Sequence, residues 1–174
     1  MRLLLTLAMV ALVAMPALAD RDMTGGTCDI LAPAFLVPEA VNTIEFLITN
    51  NSPDTQWTMD VTFTFPECFE ITGGYYTDSG SQLDALYTFT YNGNVVIFVD
   101  GDGGYGEIYG NGDTCNFFVE VIPHCDCGEY SIHWHQQGDD WGDPPFFVEG
   151  DVLINVCDMT ATQESSWTSV KSLY

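Results

Sequence analysis

Hydrophobic and polar residues alternate along most of the chain, which is the pattern of β-strands that are buried on one side only. The clearest run extends over residues 57–65, where apolar side chains occupy one face and Thr or Asp the other. The residues predicted for the buried face of this strand are Trp57, Met59, Val61, Phe63 and Phe65. The preceding strand repeats the pattern with Ile44, Phe46 and Ile48. A slip of one residue would expose all of these side chains, so the pattern also fixes the register.

Eight or nine short strands separated by polar turns account for the rest of the pattern. The further strands are expected near residues 28–36, 69–77, 86–91, 94–99, 115–122, 128–136 and 146–157. Asn92-Gly93 lies between two apolar runs and is the strongest short signal for a β-hairpin. Many short strands of this kind predict an all-β fold, an immunoglobulin-like sandwich of two antiparallel sheets.

The two ends of the chain differ from this body. Residues 1–19 combine a basic start, a short apolar run and an Ala-x-Ala motif, which predicts a cleaved signal peptide and hence secretion. Residues 20–27 are an N-terminal segment, residues 28–158 the sandwich, and residues 159–174 a tail that suits a sorting or docking signal. One or two helical turns of that tail would align Trp167, Val170 and Tyr174. No later segment is apolar enough to span a membrane.

The net charge of the chain limits the classes of molecule that it can bind. The sequence has 25 acidic and 3 basic residues, for a net charge of −22. Removal of residues 1–19 takes away Arg2 and no acid, which leaves −23. Nucleic acid and anionic membrane surfaces are excluded as partners, because binding them requires Lys and Arg. A protein or glycan at the cell surface is compatible with this charge, and the oligomeric state is left open.

Cysteines indicate an oxidising compartment. The mature chain contains six, and an even number behind a signal peptide predicts that all are paired in disulfides. They are Cys28, Cys68, Cys115, Cys125, Cys127 and Cys157. Cys28 and Cys157 flank the body and form the favoured pair, while Cys125 and Cys127 are expected to bond to separate partners. A metal site at His124-Cys125-Asp126-Cys127 is the competing interpretation, although paired C-x₂-C spacing is missing.

Clustered carboxylates make calcium the candidate ion, because calcium binds six to eight oxygen ligands. Asp139, Asp140 and Asp143 lie within five residues of a Gly/Pro loop, and a solvated turn is the alternative interpretation. Asp100 and Asp102 in a glycine-rich loop form a second candidate, which lacks the later ligands of an EF-hand. His133 and His135 share one face of a predicted strand and offer a weaker metal site, or simply an exposed strand face.

Aromatic residues in or near the predicted loops suggest a carbohydrate site as an alternative to ordinary core packing. They are Tyr75, Tyr76, Tyr87, Tyr91, Tyr105, Tyr109 and Trp141. Enzymatic signatures such as G-x-S-x-G, H-E-x-x-H or a phosphate-binding loop do not occur, and the chain is therefore predicted not to be an enzyme.

Two motifs carry a resemblance to a known type of domain. One is the loop Gly138-Asp139-Asp140-Trp141-Gly142-Asp143-Pro144-Pro145, and the other is the ending from Trp167 to Tyr174 with Lys171 inside it. With them the chain resembles an immunoglobulin-like domain of secreted bacterial proteins, a group with no established activity. The expected function is a non-catalytic extracellular or surface component in adhesion, matrix or surface structure. A calcium-assisted carbohydrate-binding module and a surface-filament subunit are the alternatives.

Overall fold

Two antiparallel β-sheets form the described part of the protein. The computed structural model describes residues 22–53, 56–78 and 86–158. The strands are β1 (Thr27–Ala32), β2 (Asn42–Asn50), β3 (Thr58–Thr64), β4 (Phe69–Asp78), β5 (Tyr87–Asn92), β6 (Val95–Asp100), β7 (Asp113–Pro123), β8 (Gly128–Gly138) and β9 (Phe147–Val156). Their order is β1-β2-β7-β4 in one sheet and β5-β6-β3-β8-β9 in the other. The predicted all-β sandwich is confirmed, and each predicted strand overlaps an observed one. In the described ranges no helix is long and apolar enough to cross a membrane.

Aromatic side chains from both sheets fill the space between them. Phe63 of β3 stacks on Phe46 of β2, with ring centroids 4.2 Å apart. The edges or tilted faces of Phe98 and Phe117 contact the same ring, each at 6.3 Å. All four side chains are fully buried. The alternation therefore predicted the inward faces of β2 and of most of β3 correctly.

At the start of β3 the prediction was wrong. The pairing of β3 with β8 shifts register between Thr58 and Asp60, which is the mark of a β-bulge. Thr58 is fully buried in consequence, while Trp57 and Met59 are only half-buried. The Thr58 hydroxyl accepts a hydrogen bond of 2.7 Å from the Nε2 atom of the buried Gln136. Because of the bulge, the core at this point holds the hydrogen-bonded polar pair Thr58 and Gln136 in place of an apolar side chain.

The cysteine pairing is Cys68–Cys125 and Cys127–Cys157. Cys125 and Cys127 therefore have separate partners, as predicted. The favoured Cys28–Cys157 pair is wrong, and so is the metal site that would use Cys125 and Cys127. The expectation that all six cysteines are oxidised is also wrong, because Cys28 and Cys115 form no disulfide.

Strand register explains why Cys28 and Cys115 stay apart. Both are paired with Ile48, Cys28 from β1 on one side and Cys115 from β7 on the other. Two strand spacings separate their Cα atoms by about 9–10 Å, whereas a disulfide tolerates about 7 Å. Burial also raises the pKa of the Cys28 thiol well above its ordinary value. Both cysteines serve as small apolar core residues.

The N-terminal segment contributes to the body. Met23 is fully buried, and its main-chain N–H donates a hydrogen bond of 3.0 Å to the carbonyl oxygen of Pro145. Met23 therefore packs against the body, while the first strand begins at Thr27, next to the predicted boundary at residue 28. The predicted signal peptide at residues 1–19 and the tail with Trp167, Val170 and Tyr174 lie outside the described residues.

Candidate functional site

The two ends of the sandwich are built differently. We call the end that carries the turn at residues 124–127 the disulfide end, because both disulfides attach to that turn. The opposite end, called the loop end, carries the connections at residues 101–112 and 139–146. Strands β7 and β8 connect the two ends and have 11 residues each, a length of about 35 Å. The two disulfides therefore place no covalent constraint on the loop end.

A cavity of about 300 Å³ opens at the loop end, lined by Trp57, Tyr105, Asp139 and Trp141. These residues come from three segments: the start of β3, the β6–β7 loop and the β8–β9 loop. Tyr105 is 74% exposed and Trp141 65% exposed. The cavity therefore combines three aromatic rings with one carboxyl group, and we call it the aromatic pocket.

Local packing fixes Trp57 at the edge of this pocket. Its ring meets the ring of Tyr109 edge to face, with centroids 4.7 Å apart. Gly106, with φ of +107°, lies so close that a Cβ atom there would be 2.7 Å from the carbonyl oxygen of Thr58. Only glycine fits this approach, which brings the loop of Tyr105 against the start of β3. The β-bulge that turned Trp57 out of the core thus places it in the pocket.

Asp139 is held by the turn that follows it. Its Oδ1 atom accepts a hydrogen bond of 3.0 Å from the main-chain N–H of Trp141. Burial raises the pKa of the Asp139 carboxyl, and main-chain hydrogen bonds from Trp141 and Trp57 lower it in part. The carboxyl group is therefore a fixed hydrogen-bonding group beside the rings.

The three aspartates of this loop do not converge on a common point. Asp140 accepts a hydrogen bond of 3.2 Å from the Nε2 atom of Gln137, whereas Asp139 bonds the main chain. Among the described residues, Asp139, Asp140 and Asp143 are not part of any group with metal-ligating geometry. The favoured calcium site is thus not supported, and the alternative interpretation as a turn fits the geometry.

The second candidate loop does bring acidic groups together. Carboxylate oxygens of Asp100, Asp102 and Glu107 lie within 4.8 Å of one another, and Glu107 is buried. Glu107 also accepts a hydrogen bond of 2.7 Å from the main-chain N–H of Leu86. We call these three residues the acidic cluster. The sequence pointed to Asp100 and Asp102, but Glu107 was not selected because no motif spacing marked it.

Burial raises the pKa of Glu107, and a side-chain hydrogen bond with Asp100 raises it further. Such a pair holds a proton between two oxygens at low pH and repels itself when both groups are ionised. A divalent cation would relieve the same repulsion, and its preferred ligands are the oxygens present here. The acidic cluster can therefore bind either a proton or a cation.

Stability is expected to rise as the pH falls from 7 towards about 4.5. The carboxyls of Asp60, Glu107 and Asp139 have raised pKa values. In this window the folded state binds more protons than the unfolded state, so acidification favours folding. His124 adds stability below its ordinary pKa that is lost as the pH rises through its raised one, because Glu70 and Glu39 hold its charged form. His135, whose pKa burial lowers, acts in the opposite direction.

The Glu107→Gln variant separates this effect from general charge neutralisation. It is expected to be more stable than the wild type at pH 7 and to gain less stability on acidification, which thermal melts at pH 7 and pH 5 measure. Glu129→Gln, at an exposed position of β8, removes the same charge and is the control. Equal pH responses of the two variants would contradict a role for Glu107.

The histidine pair lies on the outer face of β8, as its spacing predicted. The two imidazoles have different surroundings. His133 lies 3.3 Å from the Oδ1 atom of Asp151, while the ring of His135 stacks on Phe147 with centroids 5.1 Å apart. In the portion of the chain that the structure describes, these histidines belong to no metal-ligating group. They pair β8 with β9 across the outer face of the sheet.

The aromatic residues selected from the sequence divide into core and surface. Tyr87 is buried, and its hydroxyl donates a hydrogen bond of 3.1 Å to the carbonyl oxygen of Thr58. Tyr75 stacks on Phe118 on the outside of a sheet, with centroids 4.5 Å apart. Of these seven aromatic residues, Tyr105 and Trp141 line the pocket. The third ring of the pocket is that of Trp57, which the sequence analysis had assigned to the core.

No protein-family model and no curated protein matches the sequence. Solved structures match at the level of fold. Two structures of BcpA, the major pilin subunit of Bacillus cereus, match 75% of this chain, with 12–13% identity and TM-scores of 0.51–0.52. A cohesin module from a Clostridium perfringens family 33 glycoside hydrolase matches 75% of this chain and 96% of its own, with 14% identity and a TM-score of 0.50.

The N-terminal domain of the Streptococcus gordonii adhesin Sgo0707 matches 78% of this chain, with 10% identity and a TM-score of 0.51. The chain spans 40% of the length of the pilin and 33% of that of the adhesin. The TM-scores of 0.50–0.52 support a shared β-sandwich fold, and identities of 10–14% carry no activity over to this chain.

Proposed function

We propose that the chain is an exported, non-catalytic recognition domain of a bacterial surface or matrix structure. The observation that carries the proposal is the difference in structure between the two ends of the sandwich. Both disulfides staple one end, and an open aromatic pocket lies at the other. Disulfides persist in oxidising compartments outside the cytosol, and exposed aromatic rings on loops are typical of binding surfaces.

Antibody labelling tests the location. Intact cells that make the protein are labelled before and after permeabilisation, with a periplasmic protein as the control. We expect label on intact cells or in the surrounding matrix. Label found only in the cytosolic fraction would contradict the proposal, because the two disulfides would not persist there.

A calcium-assisted form of recognition has its own supporting observation, the acidic cluster. The cluster lies in the same β6–β7 connection that supplies Tyr105 to the aromatic pocket. Its Asp100 Oδ2 atom is also buried and, when both carboxyl groups of the Asp100–Glu107 pair are ionised, has no hydrogen-bond donor among the described residues. An ion on these oxygens would hold the loop and thereby the position of Tyr105.

Calcium at about 10 mM is expected to raise the melting temperature more than magnesium at equal concentration. Extracellular modules bind calcium at about 10⁻⁴–10⁻³ M, and a hundredfold excess over Kd adds about 2.7 kcal/mol of stability. Asp102→Asn, at an exposed position of the cluster, should remove the difference between the two ions. Asp140→Asn in the other loop is the matched control. Equal rises in melting temperature with calcium and magnesium would mean that the ions only screen the negative charge of the protein, and would contradict a specific calcium site.

A further inference from the structure

We infer that the aromatic pocket binds an uncharged carbohydrate, with a sugar ring lying against Trp141 or Tyr105 and its hydroxyl groups bonded to Asp139. The inference rests on the proposed recognition function and names its ligand class. It uses residues from three separate segments that the fold brings to one cavity of about 300 Å³.

Exposure is the first step of the argument. The rings of Tyr105 and Trp141 are 74% and 65% exposed, so the core gains little from them. Both stand on the two connections of the loop end, whose other residues are mainly Gly, Asp and Pro, which need no aromatic neighbour to form a turn. Covering such rings is favourable by about 25 cal/mol for each Å² of apolar surface. A flat ligand can recover this free energy.

Chemical complementarity is the second step. A sugar ring has an apolar C–H face and a rim of hydroxyl groups, so it needs a flat apolar surface beside hydrogen-bond acceptors. The aromatic rings supply the surface, and the Asp139 carboxyl accepts hydrogen bonds from hydroxyl groups. Asp139 is already oriented by the Trp141 main-chain N–H at 3.0 Å, which holds the acceptor beside the residue that carries one of the rings. The apolar face of the sugar would thus contact the Trp141 ring, and its hydroxyl groups would bond to the Asp139 carboxyl of the same turn.

Charge and size exclude the nearest alternatives. The described ranges contain no Lys or Arg, so within them a phosphate, sulfate or carboxylate on the ligand would find neither and would meet Asp139 and Asp140. A cationic peptide suits the charge, but a single ammonium group fills little of a cavity of about 300 Å³. This volume lies at the lower end of small-molecule pockets, about 300–1,000 Å³. A neutral sugar of one or two rings fits both constraints.

The test uses the full mature chain on a glycan array, followed by titration calorimetry with the neutral glycan that binds best. Acidic analogues of that glycan are expected to bind at least about tenfold more weakly, a difference of about 1.4 kcal/mol. Trp141→Ala and Tyr105→Ala should each reduce the affinity about tenfold or more. Tyr91→Ala removes a ring that is 51% exposed from β5 near the disulfide end, and should leave the affinity unchanged.

Asp139→Asn gives a readout that a merely structural role would not give. Asparagine keeps the acceptor that bonds the Trp141 N–H, but it removes the charge that repels acidic sugars. The variant should bind the neutral glycan more weakly and discriminate less against the acidic analogue. Binding that survives Trp141→Ala and Tyr105→Ala would overturn the inference.

Binding of cationic peptides in place of glycans, weakened by salt, would also overturn the inference, and so would the absence of any bound glycan. These outcomes concern the ligand class alone. Surface labelling of intact cells would still support the proposed function after such a result, whereas a cytosolic location would refute the proposed function itself.

Discussion

Replacing Cys127 and Cys157 by serine is expected to lower the free energy of unfolding by about 2–5 kcal/mol. The bond closes a loop with a sequence separation of 30 residues, and Cys68–Cys125 closes one of 57. Chain-entropy estimates give about 4 kcal/mol for loops of these lengths. Urea unfolding followed by tryptophan fluorescence measures the loss. Removing both disulfides should leave little stability, since domains of this size have about 5–15 kcal/mol in total.

The two buried cysteines provide the control for that experiment. Cys28→Ala with Cys115→Ala removes the same number of sulfur atoms but leaves both disulfides in place. This double variant should lose less stability than the disulfide variant. Thiol titration of the unfolded, unreduced wild type should find two thiols for each molecule. A value near zero would mean that Cys28 and Cys115 are bonded, which would contradict the strand register that places Ile48 between them.

The fold was predictable because it depends on a local pattern. Alternation with a period of two requires only neighbouring residues, and the polar turns between strands are local as well. The Asn92-Gly93 turn illustrates this: Gly93 has φ of +60° and joins β5 to β6 where the dipeptide indicated. The same logic failed at Thr58, because a bulge inserts one residue and reverses the alternation before it. Nothing in residues 57–65 alone indicates such an insertion.

The site was less predictable because its residues meet only in the folded chain. Tyr105 and Trp141 were selected as loop aromatics, but Trp57 was assigned to the core, and the sequence had no means of placing the three together. Glu107 likewise joins Asp100 and Asp102 through the shape of the β6–β7 connection, not through a motif. The prediction of the cysteine pairing was wrong for the same reason. Cys28 and Cys157 flank the body in sequence, whereas Cys157 lies beside Cys127 in space.

The largest expected effect of a single apolar substitution is that of Phe63→Ala, a loss of about 3–5 kcal/mol of unfolding free energy. Phe63 is fully buried and contacts Phe46 and Phe117 across the sandwich and Phe98 in its own sheet. Its removal leaves a cavity between the sheets in addition to the lost burial of the ring. Urea unfolding measures the change, and circular dichroism shows whether the variant still folds.

Thr62→Ala is the matched control for Phe63→Ala, because it shortens the neighbouring side chain on the opposite face of β3, where residue 62 is only half-buried. It should change stability by less than about 1 kcal/mol. Phe63→Leu, which keeps much of the apolar volume, should lie between the two. If Thr62→Ala cost as much as Phe63→Ala, the inward and outward faces of β3 would be assigned wrongly. The pocket position of Trp57 would then lose its support as well, since the bulge at the start of β3 is defined against that same alternation.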